Sequence, residues 1–380
     1  MNKRELPMKI AITGACGFMG THVVWALKER NIDFEIIVQS DSLAQCEEKL
    51  KGCTALVHLA GVNRPKEESE FESGNAGYLK KILKALSAFP LPVFLSSSTQ
   101  ALLDNPYGKS KLAAEKELEH YSQEFQAPCA IARLPNVFGK WTRPHYNSAV
   151  ATFCFNAARN LPLTIHDASH PLTLLYIDDV VEEILKFIQA PREFCQPGIL
   201  VSSLRDKSHL TTVGELATLI ESFKHIRTHF NVPETGAGLT RALYSTFVSF
   251  LPEPTYQVPL HKDPRGEFCE WLKFGNAGQV SYFTALPGIT RGCHYHHTKT
   301  EKFLVLTSTA RFRFQHLITK EVMEFEVQGG TGTVVDTLPG WIHDITNLGQ
   351  ETMVVMLWAN EVFDKSKPDT FASEISTCLA

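Results

Sequence analysis

Near the start of the chain, Gly14-Ala-Cys-Gly17-Phe-Met-Gly20 follows a β-type apolar run, Lys9–Thr13, and precedes a segment of helical periodicity, Thr21–Arg30. Strand, glycine turn and helix in that order leave few folds open. The glycines permit a tight turn and let a pyrophosphate approach backbone N–H groups at a helix N-terminus. The pattern predicts a dinucleotide-binding unit on a parallel sheet, with Gly14, Gly17, Phe18, Met19 and Gly20 against the cofactor.

A chain of 380 residues is long enough for two cores. Its net charge of −4 gives no reason to expect nucleic acid or a membrane surface as partner. No apolar run approaches the ~18 residues of a membrane span. Met8–Gly14 already reads as a strand entering a turn, so no signal peptide is expected. The nine cysteines contain no C-x-x-C pair, which predicts reduced thiols in small core positions and a cytoplasmic protein.

The second strand, Phe34–Val38, ends in Gln39-Ser40-Asp41. NAD sites place an acid here for the ribose 2′-hydroxyl. Gln39 and Ser40 would not repel a 2′-phosphate, Asp41 would, and no arginine stands nearby; NADPH is preferred to NADH on this balance. A third strand run, Ala55–Leu59, leads into Ala60-Gly61-Val62-Asn63. Helix Tyr78–Ala88, strand Val93–Leu95 and Ser96-Ser97-Ser98 follow, and Tyr107-Gly-Lys-Ser-Lys111 opens a helix reaching about Tyr121. Tyr107 and Lys111 share one helix face. A phenol, with a pKa near ~10, gives up its proton at neutral pH only where a cation steadies the phenolate.

The G-x-x-G-x-x-G spacing, the HLAG turn and Y-x-x-x-K after a serine-rich strand end together resemble the extended short-chain dehydrogenase/reductase superfamily. The resemblance implies a Rossmann-type sheet, with Leu59, Ala60 and Gly61 also at the cofactor. It implies Tyr107 as proton donor, Lys111 as its cation and a holder of the nicotinamide ribose, and Ser98 as the hydroxyl on the carbonyl being reduced, with Ser97 the runner-up. Arg133-Leu-Pro-Asn136-Val-Phe138-Gly139 resembles the R-x-x-N-V-Y/F-G run of the same enzymes, which puts Asn136 in a sugar-nucleotide site. Tyr176–Val180 matches their Y-V-D-D-V joint, a structural feature. The reductase domain is expected over residues 1–244, with a substrate subdomain at roughly 140–230 and a linker at Phe230–Gly238.

From about Tyr244 short alternating strands replace helices: Gln279–Leu286, Lys302–Leu306, Arg311–His316, Val322–Val327, Thr333–Asp336 and Met353–Trp358. Such spacing argues for a sandwich or barrel over 245–380. His294 and His296 project from one face of a strand, Glu301 follows, and His343 lies further on. Three imidazoles and a carboxylate are a common ligand set for zinc or another divalent transition metal. Gly288, His294, His296 and Glu301 match the first motif of the cupins, with Ser308 in place of its last glycine. Gly332, Gly340, His343 and Asn347 match most of the second. The resemblance implies a jelly roll with one divalent ion on His294, His296, Glu301 and His343; His297 and His316 are read as bystanders. Asp263-x-Arg265-Gly266-x-Phe268 and Arg291-Gly-x-His294-Tyr also resemble the nucleotide-sugar 3,5-epimerase branch of cupins. That branch uses no metal; it would make His294 a base and Lys302 the cation that steadies an enolate oxygen. His294 cannot readily be both ligand and base, since a metal would occupy its lone pair; the ligand reading is preferred.

An extended reductase followed by a cupin is similar, over essentially the whole chain, to the bifunctional capsular-polysaccharide enzymes of the CapF/WbjC type. That likeness implies C3 epimerisation of UDP-2-acetamido-2,6-dideoxy-4-hexulose by the cupin, then NADPH-dependent C4 reduction to UDP-2-acetamido-2,6-dideoxy-L-talose on the way to UDP-N-acetyl-L-fucosamine. A homodimer is expected, since cupins of this kind commonly pair. Two other readings are weighed beside it: a reductase with a metal-stabilised dimerisation module, and a non-catalytic NADPH or sugar sensor. Tyr107 and Lys111, which sensors typically lack, speak against the second.

Overall fold

The computed structural model describes residues 8–195, 199–229, 231–258, 261–263, 266–268, 273–274, 278–361 and 366–375. The chain forms two compact units: the described residues of Met1–Val137 with Leu172–Leu210, and those of Phe138–Pro171 with Thr211–Ala380.

In the first unit, β1 (Lys9–Thr13), α1 (Phe18–Glu29), β2 (Asp33–Ile37), α2 (Leu43–Leu50) and β3 (Ala55–His58) alternate as the sequence predicts. Next come α3 (Ser69–Glu72), a π-helical turn (Ser73–Gly77), α4 (Tyr78–Leu86), β4 (Val93–Ser98), α5 (Pro106–Phe125) and β5 (Cys129–Leu134). The strands form one sheet in the order β2-β1-β3-β4-β5, with Ile199–Ser202 outside β5, and every pairing is parallel. Parallel strands are covered on both faces, which is why Ile10, Ile12, Leu56, Val57, Val93 and Leu95 are apolar without alternation and buried. From β1 the order runs to β2 on one side and to β3 on the other. This reversal opens a crevice beyond the C-terminal ends of β1 and β3.

The second unit contains two five-stranded antiparallel sheets, the all-β jelly-roll architecture expected of a cupin. One orders Thr255–Gln257, Thr333–Asp336, Glu301–Val305, Met353–Ala359 and Gln279–Ala285; the other orders Val322–Gln328, Thr309–His316, Trp341–Asn347, Thr290–Tyr295 and Phe371–Ala372. Ser308, standing where the cupin motif has glycine, takes the left-handed turn itself, at φ +68°, and its hydroxyl donates to Asn347 Oδ1 at 2.7 Å. The local hydrogen bond offsets the strain of a side chain in that region.

Helices Ala149–Ala157, Val213–His229 and Gly238–Val248 belong to this second unit. The last runs unbroken through Tyr244, and Tyr244 and Phe247 pack on Phe223. Trp141 packs on the Gly340 turn, where an added Cβ would come within 2.8 Å of the indole. Among the described residues, no helix is long and apolar enough to cross a membrane. The Asp263–Phe268 run expected from the epimerase motif includes Arg265, which lies outside the described residues.

Asp336 is buried between two cations, the Lys302 ammonium on Oδ1 and Arg227 Nη2 at 2.6 Å on Oδ2. Removing the carboxylate leaves the buried Lys302 ammonium without a counter-charge and takes the partner from half-buried Arg227. Asp336→Ala should therefore cost about 3–5 kcal/mol of stability, read as a lower midpoint in urea unfolding. A midpoint within error of the parent chain would mean that water reaches the cluster.

Candidate functional site

The crevice of the first unit is a cleft of about 260 Å³ lined by Gly14, Gly17, Gln39, Ala60, Gly61 and Tyr78 among others. Gly14 has φ +70°, and a Cβ there would lie 2.6 Å from Ala60 N; at Gly20 it would lie 2.1 Å from Gly14 O. These two glycines let the turn close against β3 and α1. Phe18 and Met19 open α1, and Leu59 is buried at the end of β3. His58 is structural: its Nδ1 bonds Thr13 Oγ1 at 3.0 Å, joining the ends of β1 and β3, and burial pushes its pKa down to about 3.

At the end of β4 the three serines have separate tasks. Ser96 O accepts from Lys111 Nζ at 3.0 Å. Ser97 Oγ donates to buried Glu115 at 2.5 Å, and Arg133 grips the same carboxylate at 2.5–3.1 Å. The Ser98 hydroxyl accepts from Gln100 N at 3.1 Å and stands on the Tyr107 side of the strand end, near enough to oppose the rise of the phenol's pKa. Ser98 is thus the strand-end hydroxyl that meets Tyr107, while Ser97 turns towards Glu115. Asn105 caps α5 through Gly108 N at 2.7 Å, which sets Tyr107 on the first turn and Lys111 one turn on. Burial raises the Tyr107 pKa, and the Ser98 hydroxyl opposes it. Burial lowers Lys111 to about 8, against the pull of Glu115.

Asn75, which the sequence reading did not single out, joins this group from the π-helical turn. Its amide bonds Val62 N and O at 2.9 and 3.1 Å and Ser110 Oγ at 2.9 Å, and a Cβ on Gly61 would meet its Oδ1 at 2.8 Å and Lys111 Nζ at 3.2 Å. A π-helical turn is itself a frequent mark of functional sites, but it has no periodicity signal in sequence. Asn136 is exposed at the start of strand Asn136–Phe138, with Nδ2 donating to Thr173 O at 3.3 Å.

In the second unit His294, His296, Glu301 and His343 converge, with one donor atom from each lying within 4.8 Å of the others. The four residues come from strands of both sheets, His296 standing one residue past the end of its strand. Gly292, at φ +100° beside a register shift, lets the strand bulge so that His294 falls opposite His343. His296 Nδ1 lies 2.5 Å from Asp369 O. A carbonyl only accepts, so Nδ1 carries a proton and Nε2 is the nitrogen that faces inward. Nε2 lies 3.2 Å from Glu301 Oε2, where a shared proton or a cation can bridge the two. His343 Nε2 is buried with no hydrogen-bond partner, 3.7 Å from the same oxygen. Burial, with His343 and His296 alongside, lowers His294 to about 3 and leaves it neutral. Glu301 is held well below the carboxylate range by His296, His343 and Lys299, against its burial. Neutral imidazole and ionised carboxylate are what a divalent ion requires, so the residues fit one.

Lys302 does not join the quartet. Successive strand residues face opposite ways, and with Glu301 pointing at the histidines Lys302 points to the other side, where Asp336 holds it. Lys299 is the lysine at the quartet, with Nζ 2.9 Å from Glu301 Oε1. Asp369 clasps the ligand loop, its carboxylate accepting from the backbone N–H of His297, Thr298 and Lys299 at 2.6–2.8 Å. His297 meets Tyr295 and Phe371 edge to face, and His316 accepts two backbone N–H groups; both stand outside the quartet.

Comparison with known proteins adds an independent line. Residues 10–201 match the NAD dependent epimerase/dehydratase family, and residues 261–371 match the polysaccharide biosynthesis C-terminal domain. The chain is 46% identical to the UDP-2-acetamido-2,6-beta-L-arabino-hexul-4-ose reductase of Pseudomonas aeruginosa, over 97% of this chain and 99% of that one. It is 38% identical to the crystal structure of the capsular polysaccharide assembling protein CapF from Staphylococcus aureus, with TM-score 0.63 over 97% of this chain and 100% of that one. A GDP-mannose 3,5-epimerase of rice is 23% identical over 57% of this chain and 69% of its own length.

Asp369 fixes the His296 tautomer through its carbonyl and the ligand loop through its carboxylate. Asp369→Ala should weaken divalent-ion binding by roughly 10–100-fold, measured by competition with a chromogenic chelator. Affinity equal to that of the parent chain would show that the loop holds its shape without the clasp.

Proposed function

The chain belongs to the CapF-like family, a reductase unit joined to a polysaccharide biosynthesis C-terminal domain, and on that premise we propose that it is a bifunctional nucleotide-sugar enzyme. Its first unit is an NADPH-dependent reductase of a UDP-linked 4-keto sugar. Its second is a zinc-dependent 3-epimerase that acts before the reduction. The substrate in this reading is UDP-2-acetamido-2,6-dideoxy-4-hexulose and the product UDP-2-acetamido-2,6-dideoxy-L-talose, a precursor of UDP-N-acetyl-L-fucosamine. We include a homodimer and a cytoplasmic location in the same reading. The observation that carries it is the coexistence in one chain of the Ser98–Tyr107–Lys111 group beside a glycine cradle and the His294–His296–Glu301–His343 quartet.

When bound, NADPH supplies a hydride at C4 and the divalent ion supplies Lewis-acid polarisation of the carbonyl. Ser98 orients the ketone oxygen, and Tyr107 donates the proton that the reduced oxygen takes up. Lys111, held by Ser96 O, is the charge that makes the resulting phenolate tolerable. His294, His296, Glu301 and His343 hold the ion, and Asn136 contributes to the nucleotide-sugar site. The order of steps follows from the chemistry: C3–H is acidic only while C4 is a ketone.

The two activities should separate by substitution. With the 4-keto UDP-sugar in D₂O followed by NMR, Tyr107→Phe should abolish NADPH oxidation while deuterium still enters C3. His343→Ala should stop the exchange and spare reduction of a ketone already epimerised. If Tyr107→Phe removed both, the two-site reading would fall; exchange indifferent to chelation would make the cupin a dimerisation module. Reduction should also fall as pH rises through about 8, where Lys111 loses its proton. A kcat/KM profile flat to pH 10 would remove Lys111 from the proton step.

A further inference from the structure

The tip of β2 bears on which nicotinamide cofactor the cleft selects, and three groups there change the reading given by sequence alone. Gln39 and Ser40 are exposed, but Asp41, the one acid, is buried with 8% of its surface accessible. Its Oδ2 is taken by Val38 N at 2.9 Å and by Lys49 Nζ at 2.7 Å. Turned inward and paired, Asp41 offers no carboxylate to ribose hydroxyls and little repulsion to a phosphate. The third group is Lys81, on α4. Its ammonium donates to Gln39 O at 3.2 Å and to Asp41 O. Tyr78, one turn earlier on the same helix, lines the cleft together with Gln39. Lys81 therefore reaches the rim of the cleft at the end of β2. Two ammonium groups against one carboxylate leave one positive charge in excess at this tip.

We propose that Lys81 is the residue that selects NADPH over NADH, by binding the 2′-phosphate of the adenosine ribose. This rests on the reading of the first unit as an NADPH-dependent reductase. A phosphomonoester is a stronger acceptor than the peptide carbonyls that Lys81 now holds, because both partners of the bond are then charged. The cation comes from forty residues beyond the acid it sits beside, so a search for an arginine next to the strand end does not find it.

The test is fluorescence titration of NADPH and NADH against the full-length parent chain, Lys81→Gln and Lys81→Arg, with adenosine 2′,5′-bisphosphate and ADP as competitors. The parent chain is expected to prefer NADPH and the bisphosphate. Lys81→Gln should weaken both by roughly tenfold or more, with far smaller changes for NADH and ADP, and Lys81→Arg should keep the preference. A Lys81→Gln protein with the parent's NADPH:NADH ratio overturns the role of Lys81 and leaves NADPH use standing. A parent chain with no preference overturns NADPH use itself, before any variant is considered.

Discussion

A carboxylate taken out of water must be met by cations or donors, and much of this protein's functional geometry follows from that requirement. Glu115 is buried in α5, and the partners it recruits are Ser97 from β4 and Arg133 from β5. Three elements are thereby fixed at the place where Tyr107 and Lys111 stand. Glu301 does the same in the second unit with His296 and Lys299. Asp344, beside His343, is gripped by Arg313 at 2.6 Å on its other face. In each case a buried acid sets the position of the candidate-site residues around it.

How much of this was legible in the sequence depended on whether a residue's task was local. The glycine turn, the helix that carries Tyr107 and Lys111, and His294, His296 and Glu301 are short-range patterns, and distant His343 stands in a short motif of its own. The fold class followed from the same signals, since continuous apolar strands alternating with helices give way to short alternating ones. What the sequence did not reveal lay in long-range pairings. Asp41 reads as an exposed acid until Lys49 and Val38 N turn it inward. Asn75 needs Val62 and Ser110 to become visible, and Asp369 meets His296 across more than seventy residues.

Lys302 shows a different failure. The epimerase resemblance would make it the cation beside an enolate, yet one residue's step along a strand reverses the face. Once Glu301 is committed to the histidines, period-two alternation sends Lys302 to Asp336. Ser308 is the opposite case: the glycine is gone, but the left-handed turn remains, supported by Asn347.

The chain passes between its two compact units three times, after Val137, Pro171 and Leu210. Dissection of the protein is constrained by that path. A fragment ending at residue 244 would carry away Trp141, Arg227 and Arg241, and would strip Gly340, Asp336 and Glu361 of the groups that cover or pair with them. The complementary fragment would begin inside a helix and leave the Asp336–Lys302 pair without its arginine. No single cut yields both units whole. The contribution of each unit has to be dissected by point substitution within the intact polypeptide.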